Sequence, residues 1–191
     1  MVDQDFYRIT RDRPPTELLV RARALLGRMG DALDLGCGAG RDTRFLLTQG
    51  FEVTAVDENE DAIRYLQELP QAHLRVVQTT FEAFPFAPVA YDLINAQRAL
   101  PFNRPETFDA VFAKIKGALR PGGIFTGQFF GVNDGWNVPE RMMTFVTREQ
   151  SEALLRDLRL IEFTEVEDDG PTAVGTLKHW HVFDIIAQRE E

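Results

Sequence analysis

The chain has 191 residues, a hydrophobic fraction of 44% and a charged fraction of 27%, the proportions of an ordinary soluble globular protein. Its formal charge of −9, from 30 acidic and 21 basic side chains, repels nucleic-acid phosphates and anionic lipid, so neither is an expected partner. A single cysteine, Cys37, excludes an internal disulfide framework and a multi-cysteine zinc site.

The first residues, MVDQDFYRITRDR, are charged throughout and carry no apolar signal-peptide core. No apolar run approaches the ~20 residues that span a bilayer. The expectation is a cytoplasmic, soluble protein. The absence of a linker, repeat or low-complexity tract suggests one domain over residues 1–191, with 1–30 as a helical cap segment.

In chain order, a helix is expected after Pro14 and Pro15, over TELLVRARALLG and stopping near Gly27. DALDLG reads as a buried strand, and the residues after Gly40 as a helix that ends at Gly50. FEVTAVD is a second strand. Asn59 is a natural N-cap for a helix with Ala62, Ile63, Leu66 and Leu69 on one face. HLRVVQ and AYDLINA read as the third and fourth strands. Pro105 opens a helix with Phe108, Val111, Phe112, Ile115 and Leu119 at helical spacing. RPGG breaks that helix before a fifth strand, IFTGQFF. Thr147 to Gln150 has the pattern of a capping box, opening a helix through Leu158. The remainder, RLIEFTEVEDDGPTAVGTLKHWHVFDIIAQ, reads as a terminal antiparallel hairpin. Alternating strands and helices predict an α/β fold: a Rossmann-like, doubly wound, mostly parallel seven-stranded sheet with helices on both faces.

The chemistry concentrates in ALDLGCGAGRDT. Gly36, Gly38 and Gly40 alternate directly after the first strand, where a backbone must turn with positive φ or approach a ligand closely. The following helix directs its free N–H groups at this turn. Asp57 ends the second strand, 21 residues beyond Gly36, where a carboxylate can accept both hydroxyl protons of a ribose. A dinucleotide fingerprint needs glycine at position 41, and this chain has Arg41. The turn therefore suits a ribose-bearing cofactor without a pyrophosphate.

DLGCGAGRDT followed by VTAVDEN resembles the first two motifs of class I S-adenosylmethionine-dependent methyltransferases. QTTFEAFPF resembles the adenine-contacting loop of that family, with Thr80 and Phe81 at the binding positions. Many members carry an acid where Thr80 stands. YDLINAQRAL resembles the fourth-strand motif, and LRPGGIFTGQFF the turn and fifth strand. The GRD ending and compact length are closest to the tellurite-resistance-type branch. The resemblance, over roughly residues 30 to 190, implies S-adenosylmethionine as cofactor and S-adenosylhomocysteine as product. It implies a binding set of Asp34, Gly36, Gly38, Gly40, Asp57, Glu58, Thr80, Phe81 and Asn95, with Asp34 near the methionyl amino group. The acceptor it implies is a small-molecule nucleophile: oxygen, nitrogen, sulfur or a chalcogen oxyanion. A non-catalytic binder of the same cofactor and a nicotinamide-dependent oxidoreductase are the alternatives, the latter disfavoured by Arg41.

No catalytic triad or paired-carboxylate motif is present, and none is required when the leaving group is already activated. Tyr7, Arg98, Asp134, His179 and His181 are the candidates at the pocket mouth, and the resemblance implies that the segment around Phe6 and Tyr7 folds over the cofactor. Cys37 reads as packing. His179 and His181 share a strand face at a spacing that can chelate, but too few partners accompany them, so no metal is expected. The loop from Gly131 to Arg141 reads as a lid or an ordinary surface connection. No motif encodes the acceptor's identity or the oligomeric state.

Overall fold

A computed structural model describes residues 4–190; positions 1–3 of the expected cap segment lie outside the described residues. The strands are β1 (Asp31–Leu35), β2 (Glu52–Asp57), β3 (Leu74–Gln78), β4 (Tyr91–Ala96), β5 (Leu119–Gly131), β6 (Phe145–Val146), β7 (Arg159–Pro171) and β8 (Leu177–Gln188). The helices are α1 (Gln4–Thr10), α2 (Glu17–Ala24), α3 (Arg41–Thr48), α4 (Glu60–Gln67), α5 (Pro105–Ala118) and α6 (Arg148–Leu154).

The sheet runs β3-β2-β1-β4-β5-β8-β7. The first five strands of this order are parallel, and β8 and β7 are antiparallel additions. These seven strands and the closing hairpin are as the sequence predicts. An eighth strand, β6, is a correction to the expected seven. Its two residues pair parallel to the end of β5, at Phe130 and Gly131. The chain leaves β1 toward β2 and β3, then returns to place β4 on the other side of β1. That reversal opens a crevice at the strand ends where ligands of α/β sheets bind.

Each face of the sheet is covered by the helices its apolar side chains select. Ala32, Val53, Leu93, Ile124 and Ile186 pack under Leu18, Leu19 and Ala22 of α2 and Leu46 of α3. Ala55 on the same face meets Leu66 of α4. On the opposite face Leu33, Ile94, Phe125 and Phe183 pack against Phe108, Val111, Phe112 and Ile115 of α5. Phe112 meets Phe125 and Phe129 edge-on, at centroid separations of 5.2 Å, the arrangement that aligns ring edges with π faces.

Several boundaries differ from expectation for local reasons. Leu119 is not the last apolar residue of α5 but the first of β5, since its backbone is extended at ψ 139°. RPGG accordingly lies inside the start of β5, absorbed by a register shift opposite Tyr91 and Leu93. The α6 capping box forms with both reciprocal bonds, yet the helix ends at Leu154 rather than Leu158. Helix α2 likewise ends at Ala24, short of Gly27. At the hairpin tip Arg13 Nη2 donates to the Ala173 carbonyl at 3.0 Å, so β7 and β8 lean back onto the N-terminal segment.

Candidate functional site at the β1–β4 crevice

The turn between β1 and α3 is built from three left-handed residues: Gly36 (φ 65°), Gly38 (φ 53°) and Gly40 (φ 79°). A Cβ on Gly36 would collide with that of Ala99, and one on Gly40 would lie 2.8 Å from Leu66 Cδ2. Gly38 is different. The space over it is bounded only by ring carbons of Tyr7 and Phe6, at 3.9 and 4.0 Å. The turn is thus tight where it packs and open where a ligand could approach.

Asp57 faces this turn from the end of β2. Its Oδ2 accepts the Gly38 N–H at 3.0 Å, and its Oδ1 accepts the Asn59 N–H at 3.0 Å. Burial pushes its carboxyl above the usual range, and these backbone donors oppose the shift. Glu58, the next residue, is exposed. Phe81 flanks the turn, its Cζ 3.4 Å from a Cβ placed on Gly36. Thr80 is exposed, and its hydroxyl accepts the Ala83 N–H at 3.4 Å, a turn-closing bond.

Beneath the turn, Asp34 and Asn95 are paired across β1 and β4 and are each 1% exposed. Asp34 accepts from the Thr43 hydroxyl at 2.5 Å and from Asn95 Nδ2 at 2.8 Å. Burial raises its pKa from 3.8 to about 7, with the charge of Asp42 adding to the effect and the two hydrogen bonds opposing it. The polar run continues through Gln97, whose Nε2 donates to Asn95 Oδ1 at 2.9 Å and to Thr126 Oγ1 at 3.3 Å. Sequence reasoning passed over Thr43, Gln97, Thr126 and Gln128. Thr43, a hydroxyl in the first turn after the glycines, was the one with a readable signal. The others matter only through cross-strand neighbours.

Structure therefore brings Asp34, Gly36, Gly38, Gly40, Asp57, Phe81 and Asn95 to one place, with Tyr7 above them. Tyr7 is 3% exposed, and burial together with the Asp57 charge holds its phenol above the usual range. Cys37 is buried, its thiol pushed up by desolvation and by the charge of Asp34, consistent with packing. Asp42 anchors the N-terminal segment by accepting from Thr16 N at 2.9 Å and Thr16 Oγ1 at 3.0 Å.

The remaining candidates sit farther along the strand ends. His181 has both ring nitrogens engaged: Nδ1 accepts the Asn133 N–H at 3.1 Å, which leaves Nε2 to donate to Glu165 at 2.9 Å. His179 pairs with Asp169 at 2.8 Å and Glu167 at 3.2 Å, and these partners, Asp169 first, raise its pKa. Among the described residues no group of three or more His, Cys, Asp or Glu is arranged to hold a metal ion. Asp134 is buried and paired with Lys178, whose ammonium lies 3.8 Å from the Trp180 ring centroid and 4.4 Å from that of Trp136. Asp134 also accepts from the backbone of Trp136 and His181, so the loop after β5 is tacked onto β8. Arg98 leaves the end of β4 partly exposed, with its guanidinium over Trp180, where burial of the charged head lowers its pKa.

Two shallow recesses elsewhere, one lined by Asp31, Glu52, His73 and Arg75 and one by Gly122, Arg159 and Gln188, gather no comparable set. No helix among the described residues is long and apolar enough to cross a membrane.

Residues 32–123 match a family described as a methyltransferase domain. A methyltransferase of Synechocystis is 34% identical over 94 residues, which are 49% of this chain and 43% of that protein. The chain thus matches less than half of that relative's length. Among solved structures, TehB of Haemophilus influenzae superposes with a TM-score of 0.77 at 20% identity, over 90% of this chain and 61% of that one. A 1,6-didemethyltoxoflavin-N1-methyltransferase of Burkholderia thailandensis, solved with bound 1,6-didemethyltoxoflavin and S-adenosylhomocysteine, gives a TM-score of 0.70 at 24% identity, over 99% of this chain and 80% of that one. The two superpositions, over 90% and 99% of this chain, are likenesses of fold.

Proposed function

We propose, from the premise that residues 32–123 form a methyltransferase domain of the class I S-adenosylmethionine-dependent type, that this chain methylates a small-molecule nucleophile. The observation that carries the reading is the bond from Gly38 N–H to Asp57 Oδ2 within the three-glycine turn. It sets a ribose-binding carboxylate against an open stretch of backbone, with Arg41 where a pyrophosphate binder needs glycine.

The residues present fit that cofactor. Gly38 has room above it that only the Phe6 and Tyr7 rings border. S-adenosylmethionine supplies a methyl group already activated on a sulfonium and leaves as S-adenosylhomocysteine. The protein's share of the work is binding, alignment and exclusion of water. Asp57, with Glu58 beside it, holds the ribose hydroxyls. Phe81 and Thr80 border the adenine, and Asp34 and Asn95 underlie the amino-acid end. Tyr7 covers the turn, and its raised pKa keeps the phenol protonated. His181, with neither ring nitrogen free, braces β8 against β7. The rings of Phe6 and Tyr7 on α1 lie over Gly38, a cover that favours a small acceptor.

Calorimetry with S-adenosylmethionine, S-adenosylhomocysteine and NAD tests the cofactor. Both adenosyl compounds are expected to bind and NAD to fail; tight NAD binding alone overturns the reading. Asp57→Ala should weaken S-adenosylhomocysteine by about 10- to 100-fold, the loss of hydrogen bonds to a charged group. Labelled-methyl transfer to a panel of small nucleophiles tests the reaction.

A further inference from the structure

The amide chain on the floor of the crevice has a fixed direction. Oδ1 of Asp34 accepts from Asn95 Nδ2, which turns the Asn95 oxygen toward Gln97. Gln97 spends its N–H groups on Asn95 Oδ1 and Thr126 Oγ1. Its Oε1 is left buried without any donor. A buried amide oxygen without a partner is uncommon and calls for a missing donor.

The adjacent residue is also held at a cost. Arg98 has φ 53°, the left-handed region that non-glycine residues seldom occupy. Its N–H donates to Gln128 Oε1 at 2.8 Å, and Gln128 Nε2 donates in turn to Asp184 at 2.9 Å. This brace holds the strained backbone and fixes where the side chain leaves the strand. The guanidinium lies 4.7 Å from the Trp180 ring centroid and, among the described residues, makes no ion pair within 4.0 Å. The carboxylates whose charge reaches it, Asp184 and Asp134, are already engaged by Gln128 and Lys178, while Arg41 and Arg13 add positive charge. Strain braced at a strand end beside an unmet hydrogen-bond acceptor marks a site organised for a ligand.

We infer that Gln97 and Arg98 form the acceptor's seat, and that the acceptor is a small anion carrying an N–H or O–H donor. This rests on the methyltransferase reading and adds the substrate class. Arg98 pairs with the anionic group, and Gln97 Oε1 accepts the acceptor's donor hydrogen. The cation comes from one residue of the pair and the orientation from the other, so a ligand lacking either group loses a contact.

A fragment library tests this: matched pairs of aromatic and aliphatic carboxylates, phosphates and sulfonates bearing N–H or O–H, each with its neutral analogue, together with the same anions lacking the donor, such as benzoate. Salicylate with phenol and anthranilate with aniline are two such pairs. Binding is followed by ligand-observed NMR, with and without S-adenosylhomocysteine. Anionic members are expected to dominate the hits and to weaken about tenfold or more in Arg98→Asn, which tolerates the left-handed backbone, while Arg98→Lys retains the preference. Gln97→Met should weaken hits bearing a donor and spare anions without one. Neutral members binding as often, an unchanged preference in Arg98→Asn, or no hits at all would overturn the inference. Failure of S-adenosylhomocysteine to bind would instead overturn the cofactor reading, while Arg98-dependent anion binding is still scored on the protein alone.

Discussion

Asp34 shows how one residue ties the site to the stability of the fold. Its carboxyl is buried beside the charge of Asp42, and its pKa is raised from 3.8 to about 7. Between these values the folded protein holds a proton that the unfolded chain has released. The contribution of Asp34 to stability is therefore greatest below the unfolded value and declines as pH rises through about 7. The full swing is on the order of a few kcal/mol. Asp34→Asn removes the titration; its loss of an acceptor for Thr43 or Asn95 is a constant offset. Urea unfolding from about pH 5 to about pH 8 should show the variant gaining on the wild type as pH rises. A constant gap would mean that Asp34 does not titrate in that window.

At the scale of elements, the glycine turn and the α6 cap make contrasting predictions. Gly36 and Gly122 both have left-handed φ, 65° and 76°, so alanine strains either backbone by roughly 1–2 kcal/mol. Only at Gly36 would the new Cβ also meet a neighbour, Ala99; around Gly122 nothing lies within 4 Å. Gly36→Ala should therefore cost clearly more than Gly122→Ala in denaturant titrations, and equal costs would refute the packing argument. Thr147→Ala removes the capping-box hydroxyl that accepts from Gln150 N at 3.2 Å and should cost about 1 kcal/mol, a melting shift of about 2–4 °C for a chain of this size. The capping box was legible beforehand because its bonds are local. The parallel strands were legible too: DALDL, EVTAVD and YDLINA are apolar runs between helix signals. Helix α1 was legible only as part of a helical cap segment over 1–30, without bounds of its own, because seven residues show no clear period and its Phe6 and Tyr7 find their partners on α4 and the glycine turn. β6 exists only through pairing with β5. Leu119 fits either a helix face or a buried strand, and extended backbone decided between them. The glycines and Asp57 carried their geometry in their spacing, whereas Gln97, Gln128 and Lys178 acquire most of their meaning from residues 29 to 56 positions away.

For the whole molecule, the N-terminal segment is the part most loosely joined and most closely concerned with the site. Tyr7 packs on Ala39 and Ala62, with the Tyr65 ring 6.2 Å away, in a cluster much smaller than the cores on either face of the sheet. Arg11 adds a partly exposed pair with Glu68 at 3.0 Å, and Arg44 Nη1 donates to the Arg11 carbonyl at 3.0 Å. Such contacts permit local opening well below the cost of global unfolding. Any ligand over Gly38 lies beneath the Phe6 and Tyr7 rings, so opening of α1 should be coupled to its release. Trypsin cleavage after Arg8 and Arg11 reads that coupling. With S-adenosylhomocysteine at about 100 times its Kd, opening that must expel the ligand is opposed by about 2.7 kcal/mol, and cleavage there should slow by up to about 100-fold. Cleavage at exposed arginines remote from the crevice, such as Arg156, serves as the control. Unchanged cleavage at Arg8 and Arg11 with the ligand demonstrably bound would place α1 outside the cofactor seat. Tyr7→Ala separates the two ways in which protection could arise. If the ring itself bridges helix and ligand, the variant binds S-adenosylhomocysteine more weakly and loses protection even at a matched degree of saturation. If protection instead comes from a general tightening of the sheet, the variant keeps it once saturation is matched.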